Sequence, residues 1–510
     1  LAQGFISGTG IALGGSLFSL FANPREAHAL LSPDLITLAG NTNCTLGGAG
    51  TNIPFICFDL AGGSNMIGSN VLAGGQNGYM DSPISTAGYS KMGIPGDMVP
   101  GVIDPTASPE SGPNTDFIDN RLGLPFHSDS GFLRGIMEKI SVGTALNMNG
   151  AVIPARSDND TGNNPHNPMY GIAKTGSTGS IVTLIGSRNS ESGGNSMSPA
   201  GMVDTTIRPT KVDRPSDVTG MVDTGNLTAV LSDPDDVKAV MESVVRLSDK
   251  KVDQVNTQIT ADAVIKDLVK CGYLKAADIA DRFADISIDP ALDTNIVGAS
   301  GIFTQSEFDG DREFSKTASV MKMVLDGYAG AGTITMGGYD YHTGNRSVGE
   351  ARDERAGKCM GACLEYAAIM GMPLMIYVCS DGSVASNGTL DGTDENDPGR
   401  GKGVWTGDNS STAGSFFLVY NPGGQATLLQ PAPDGISLHK QVGWFRTSDG
   451  SVDTASSPAA NNVNLLVETV ILNYLALHGA DFKSRYTSLF GSNLGNNASM
   501  DGLTAFNSIR

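Results

Sequence analysis

An aspartate and a histidine two residues apart, Asp340 and His342, follow the apolar run Ile334-Thr-Met336 and the turn-forming Gly337-Gly338. The run reads as a strand, so both side chains emerge at a strand end, where open α/β sheets bind their ligands. A carboxylate oxygen and an imidazole nitrogen at that spacing reach one divalent cation, although zinc takes three or four donors. The competing reading is a turn with a capping Asp and a surface His. Asp381 stands in a similar position, because Leu374-Met-Ile-Tyr-Val-Cys379 reads as a strand and runs into Ser380-Asp381-Gly382.

The elements that must position these residues alternate between strand and helix. Ile53 to Asp59 reads as a buried strand entering the tight turn Leu60-Ala-Gly-Gly-Ser-Asn65, where a backbone can approach a ligand closely. Phe132 to Val142 has helical spacing, with Phe132, Ile136 and Ile140 on one face, and Ala145 to Ile153 reads as a second strand. Helices are expected over Phe314 to Tyr328, Gly349 to Met370 and Asn462 to Gly479, and strands over Thr333 to Met336 and Ser415 to Tyr420. Between Cys379 and Ser411 the Gly and Asp content indicates a loop. This rhythm predicts an α/β fold with a mainly parallel sheet flanked by helices. Asp233 to Phe283 is helical and reads as an insertion at about 230–290 within one large domain spanning 30–510.

The formal net charge of −20 argues against nucleic acid and anionic lipid head groups as partners, while acidity suits cation binding. The runs Asp158-Asn-Asp160, Asp309-Gly-Asp311 and Asp391 to Asp397 lack the twelve-residue spacing of an EF-hand and read as solvated loops. With six histidines and no G-X-S-X-G elbow after a strand, no serine triad stands out, and Lys174 to Gly179 lacks the Gly-Lys-Ser/Thr ending of a P-loop. Six cysteines suit an oxidising compartment. Cys44 and Cys57 flank a Gly-rich loop and can pair. A Cys359–Cys363 bridge is awkward on a helix, which leaves partners to be sought among Cys271, Cys359, Cys363 and Cys379.

Residues 1–29 look like an export signal: no charge precedes Arg25, Phe5 to Ala22 is apolar or small, and Ala27-His-Ala29 fits a signal-peptidase site. Retained, such a segment either anchors the chain in a membrane or packs against other subunits or a second copy. The expected location is periplasmic or at the bacterial cell surface.

The stretch Val324 to Thr343, with Gly-Gly-Tyr-Asp340-Tyr-His342 at its end, followed by a helix and a strand closing on Ser380-Asp381-Gly382, resembles a family of twin-arginine-exported bacterial proteins within the alkaline phosphatase/sulfatase superfamily. The resemblance covers about 50–190 and 310–425. In that family the turn reads Gly-Gly-(Trp/Phe)-Asp-Thr-His. A later strand end reads Ser-Glu-Phe-Gly-Arg, and a loop reads Gly-Thr-Asp-His-Gly. The resemblance implies an alkaline phosphatase/sulfatase-like fold in which two metal ions hold a phosphate or sulfate ester and activate a hydroxyl nucleophile. Carried onto this chain, it implies metal ligation by Asp340, His342, Asp381 and Asp408, with calcium, zinc or magnesium as the divalent cation. It departs at Asn409, which stands where the family has His, and at Asn65, which replaces a common acid; Asn164-Pro-His166 matches the family's Asn-His segment faintly. Losing an imidazole removes a strong nitrogen donor. The expectation is therefore a pseudoenzyme serving as a structural or assembly subunit, with a metal-dependent ester hydrolase and a calcium- or ligand-binding module as alternatives.

Overall fold

Strand Phe55–Ala61 (β1) is buried along both faces, and a strand of that kind is stable when helices cover the two sides of its sheet. The computed structural model describes residues 31–42, 44, 46, 52–157, 164–222, 230, 231, 233–256, 258–283, 287–344, 346–392, 397–430 and 440–510 and has this arrangement. The other strands are Ile118–Leu122 (β2), Leu124–His127 (β3), Met148–Pro154 (β4), Val182–Gly186 (β5), Thr210–Lys211 (β6), Ala329–Gly337 (β7), Leu374–Ser380 (β8), Val384–Leu390 (β9), Gly403–Asp408 (β10) and Gly414–Tyr420 (β11). Seven strands form one sheet in the order β4-β11-β8-β1-β7-β5-β6, and β2-β3 and β9-β10 pair separately. From β8 to β6 all neighbours are parallel, whereas β11 runs antiparallel to both β8 and β4.

Among the described residues the helices of nine residues or more are Pro33–Asn41 (α1), Gly131–Lys139 (α2), Pro234–Gln254 (α3), Asp262–Phe283 (α4), Arg312–Leu325 (α5), Arg346–Ile369 (α6), Val463–Ala476 (α7) and Phe482–Phe490 (α8). Alternation along the strands divides the apolar side chains between two cores. Ile56, Phe58 and Leu60 of β1 join Ile334, Met336 and Val378 beneath α2, α5 and α6. Phe55 and Cys57 join Met375, Tyr377 and Phe417 beneath α7 and α8. Each such side chain stabilises the fold by roughly 1.5–3 kcal/mol relative to exposure. Helices α2 and α6 cross closely enough that a Cβ on Gly135 would lie 2.0 Å from the Glu354 carbonyl oxygen, so this crossing requires glycine.

The expected strands at 53–59, 333–336, 374–379 and 415–420 correspond to β1, β7, β8 and β11. The expected strand from Ala145 begins instead at Met148, because Val142–Leu146 forms a short helix capped by Ser141. The stretch expected as a loop before Ser411 contains β9 and β10, which pair antiparallel with register shifts. The helical insertion is an antiparallel pair, α3 and α4, joined across its faces by Lys270 to Asp249 at 2.8 Å and Asp253 at 2.6 Å. It shares a small core with α1 made of Leu31, Leu35, Ala39, Val245 and Leu274.

Contrary to the expected pairing with Cys57, Cys44 is bonded to Cys271. Cys57 lies inside β1 with its sulfur 3.9 Å from that of Cys379, and Cys359 and Cys363 are buried thiols of α6. Burial raises the pKa of each of these four thiols. No helix among the described residues is long and apolar enough to cross a membrane. The signal-like segment 1–29, the acidic run 158–160, most of the run 391–397 and His439 lie outside the described residues.

Candidate cation site

Strands β1, β7 and β8 are in register with Ala61 beside Gly337 and Leu60 beside Ser380, so three chain segments leave the sheet at one level. The turns after β1 and β7 then press together. The Tyr339 amide donates to the Ala61 carbonyl at 3.0 Å, and Gly62, at φ +124°, leaves no room for a Cβ, which would fall 2.2 Å from the Asp340 nitrogen. Side chains alternate through the β7 turn. Tyr339 and Tyr341 are buried, their hydroxyls bonded to the Arg352 carbonyl at 2.8 Å and to Asp353 at 3.0 Å, and Asp340 and His342 consequently face outward. Strand β10 supplies the third group. Trp405 is buried with the Arg346 guanidinium 4.2 Å from its ring, and its carbonyl accepts from the Gly344 amide at 2.8 Å, which ties β10 to the turn and brings Asp408 alongside.

His342 Nε2 lies 2.7 Å from Asp340 Oδ1 and 3.4 Å from Asp408 Oδ1. One donor atom from each residue falls within 4.8 Å of the others, a spacing that fits three ligands of a single divalent cation. The side chains remain 62%, 34% and 42% exposed for Asp340, His342 and Asp408, so water can complete the coordination. Two carboxylates and one imidazole suit calcium, magnesium or zinc, the oxygen donors favouring the harder ions.

Asp381, the fourth expected ligand, is placed differently. It is buried, with Oδ1 accepting from the Gly62 amide at 2.7 Å and Oδ2 from Asn195 Nδ2 at 3.1 Å, and it is not one of the three-donor group. Asp59 is likewise held, by the Asn195 and Ser196 amides at 2.6 and 2.8 Å and by the Ser196 hydroxyl at 3.0 Å. The other positions of the resemblance are also bonded internally. Asn65 binds Ser69 and the Val384 carbonyl, Asn409 binds Thr412 and Ser411, and Asn164 binds Ser157 and the Asp381 carbonyl. His166 is buried, 3.5 Å from Ser157 Oγ, but that hydroxyl donates to the Asp381 carbonyl at 2.6 Å. Burial lowers the pKa of His166 to about 4, which keeps the ring neutral.

Beneath the exposed corner lies a largely buried ionic cluster. Glu350 meets Arg346 at 2.9 Å, Lys402 at 3.1 Å and Arg134 at 2.7 Å, while Asp129 meets Arg134 at 2.6 Å and Lys402 at 2.9 Å. Burial works against the Glu350 charge, but the three cations outweigh it and hold the carboxyl far below the ordinary range. Asp353, one turn along α6, is pushed the other way, up to about 7, by burial and by the nearby Glu350 charge, against hydrogen bonds from Asn70 and Tyr341. Glu350, Asp353, Lys402, Asn195 and Arg188 are not among the site residues expected from the sequence. An isolated lysine in a Gly-rich loop carries no sign that it will be buried. Arg188 directly follows β5, and recognising that strand would mark it as a strand-end residue, whereas Asn195 lies further along the loop.

A scan of protein-family models, a search of curated proteins and a search of solved structures each find no match to this chain.

Proposed function

We propose that this chain is an exported, non-hydrolytic protein on an alkaline phosphatase/sulfatase-like scaffold. It binds one divalent cation at Asp340, His342 and Asp408 and serves as a structural or assembly subunit in the periplasm or at the cell surface. The observation that carries the reading is the division of the acidic groups at the strand ends. Three donors converge on one point, whereas Asp381 and Asp59 already have both oxygens engaged by backbone and side-chain donors. Ester hydrolysis with paired cations needs a second set of donors to stabilise attacking and leaving oxygens together. Val240 and Leu247 of α3 and Val264 and Leu268 of α4 are exposed apolar side chains that a contact with another subunit would cover.

One feature favours a metal-dependent phosphate- or sulfate-ester hydrolase as a second reading: three protein donors beside solvent leave a position for a reactive water, as in catalytic zinc sites. Elemental analysis of the purified chain after dialysis against calcium, magnesium or zinc, with phosphatase and sulfatase screens on wild type and Asp340→Ala, separates the two. The expected result is one cation in wild type, none in the variant and no turnover in either. Two cations, with turnover abolished by Asp340→Ala, would overturn the first reading.

A further inference from the structure

Beyond the ends of β5 and β7 lies a cavity of about 580 Å³, lined in part by Arg188, Lys211, Arg312 and Lys316 and by the two acids Asp213 and Glu313. Four cations against two carboxylates leave its walls with an excess of two positive charges, in a chain whose formal net charge is −20. Within the cavity Asp213 is shared by Lys211, at 2.9 Å, and Arg312. Lys316 is held by Glu313 at 2.7 Å and by the Thr335 carbonyl at 2.6 Å. Arg188 donates from Nη1 to Asn195 Oδ1 at 3.1 Å, and among the described residues no carboxylate lies within ion-pair distance of it. Arg312 and Glu313 come from the first turn of α5 and Lys316 from the start of the second, so the positive end of a 14-residue helix adds to the same field.

The volume falls in the range of about 300–1,000 Å³ usual for small-molecule sites, which is more than a lone oxyanion fills. Such sites are mostly apolar, but this one is lined by hydroxyl and amide side chains, including Ser187, Asn189, Ser190 and Asn195. A ligand matching these walls carries negative charge at one end and hydroxyl groups over the rest.

We propose that this cavity binds a polyhydroxylated organic anion, a sugar acid or a sugar phosphate, with Arg188 and Arg312 receiving the anionic group and the serines and asparagines receiving the hydroxyls. A guanidinium presents a planar fork of donors that matches carboxylate and phosphate alike, so both anions share one recognition chemistry. The site shares no residue with the Asp340–His342–Asp408 corner, and its occupancy does not depend on cation binding there.

Isothermal titration calorimetry of the full chain with glucuronate, glucose 6-phosphate, glucose and inorganic phosphate tests the proposal. At least one of the two sugar anions should bind tenfold or more tightly than glucose and than phosphate, the tighter one identifying the anionic group. Arg188→Gln should weaken that binding at least tenfold, while Asp340→Ala leaves it unchanged and abolishes only cation uptake. Arg312→Ala removes a side chain that is 71% exposed and serves as the second variant should Arg188→Gln fail to fold. Equal binding of glucose or of phosphate, an unchanged affinity in the folded arginine variants, or no binding of any probe at millimolar concentration would overturn it.

Discussion

Two charged clusters lie close together in this chain and use similar residue types to opposite ends. At the corner formed by Asp340, His342 and Asp408 the side chains stay 62%, 34% and 42% exposed, and two carboxylates share one imidazole. In the cluster around Glu350, which is 3% exposed, and Lys402, which is fully buried, each carboxylate meets at least two cations. Desolvation fixes the difference. A buried charge must be matched by its own partners before folding can bury it, and once matched it has no capacity for a ligand. The corner keeps its acids in water, so a cation can enter without leaving an uncompensated charge behind. The contrast separates a framework from a site, and each variant below tests one side of it.

The largest effect should come from Lys402→Ala, which removes the one fully buried cation that bridges Asp129 and Glu350 and leaves only Arg134, 31% exposed, shared between them. Breaking a buried ion network from one side typically costs about 3–5 kcal/mol, to be read from urea unfolding. A loss below about 1 kcal/mol would mean that the cluster is hydrated and the contrast false.

Asp353 sharpens the same point through pH. Its carboxyl titrates at about 7 in the folded chain against an ordinary value of 3.8. The folded state therefore keeps a proton that the unfolded state releases. The stabilisation this carboxyl contributes is complete below about pH 4 and falls as pH rises towards 7, with a limiting slope of about 1.4 kcal/mol per pH unit. Unfolding free energies from pH 4 to 8 should show wild type losing stability relative to Asp353→Asn across that window. Parallel curves would place Asp353 outside the buried region.

Asp381→Ala should cost about 1–3 kcal/mol, because the Gly62 amide and the Asn195 amide lose their acceptor in a buried setting, and cation stoichiometry should stay unchanged. A drop in cation affinity would enlist Asp381 as a ligand after all. The smallest effect on stability belongs to Asp340→Ala: the unfolding midpoint in the absence of added cation should shift by no more than experimental scatter, while cation binding is lost.

The sequence made the central strands legible because Phe55 to Phe58, Leu374 to Cys379 and Phe416 to Tyr420 are continuous apolar runs, which only a sheet covered on both faces accommodates. Strand β9 escaped notice because Ser386 to Leu390 holds Ser, Asn, Gly and Thr and is largely exposed, so neither apolar alternation nor β-branched content distinguishes it from a loop. Asp340 and His342 were visible from their spacing alone. The separation of Asp381 from them was not, since it depends on a hydrogen bond to Gly62 across 319 residues of chain. The Cys44–Cys271 pairing was hidden for the same reason, and the nearer Cys57 faces into a sheet interior that no loop geometry could anticipate.

That disulfide has a mechanical consequence. It joins residues 227 apart, just after α1 and within α4. Tension applied between the two ends of the chain passes from Cys44 straight to Cys271, so residues 45–270, with β1, β4 and β5 among them, lie outside the covalent load path. Pulling on an oxidised molecule thus extends a contour shortened by that loop, and reduction restores the hidden length.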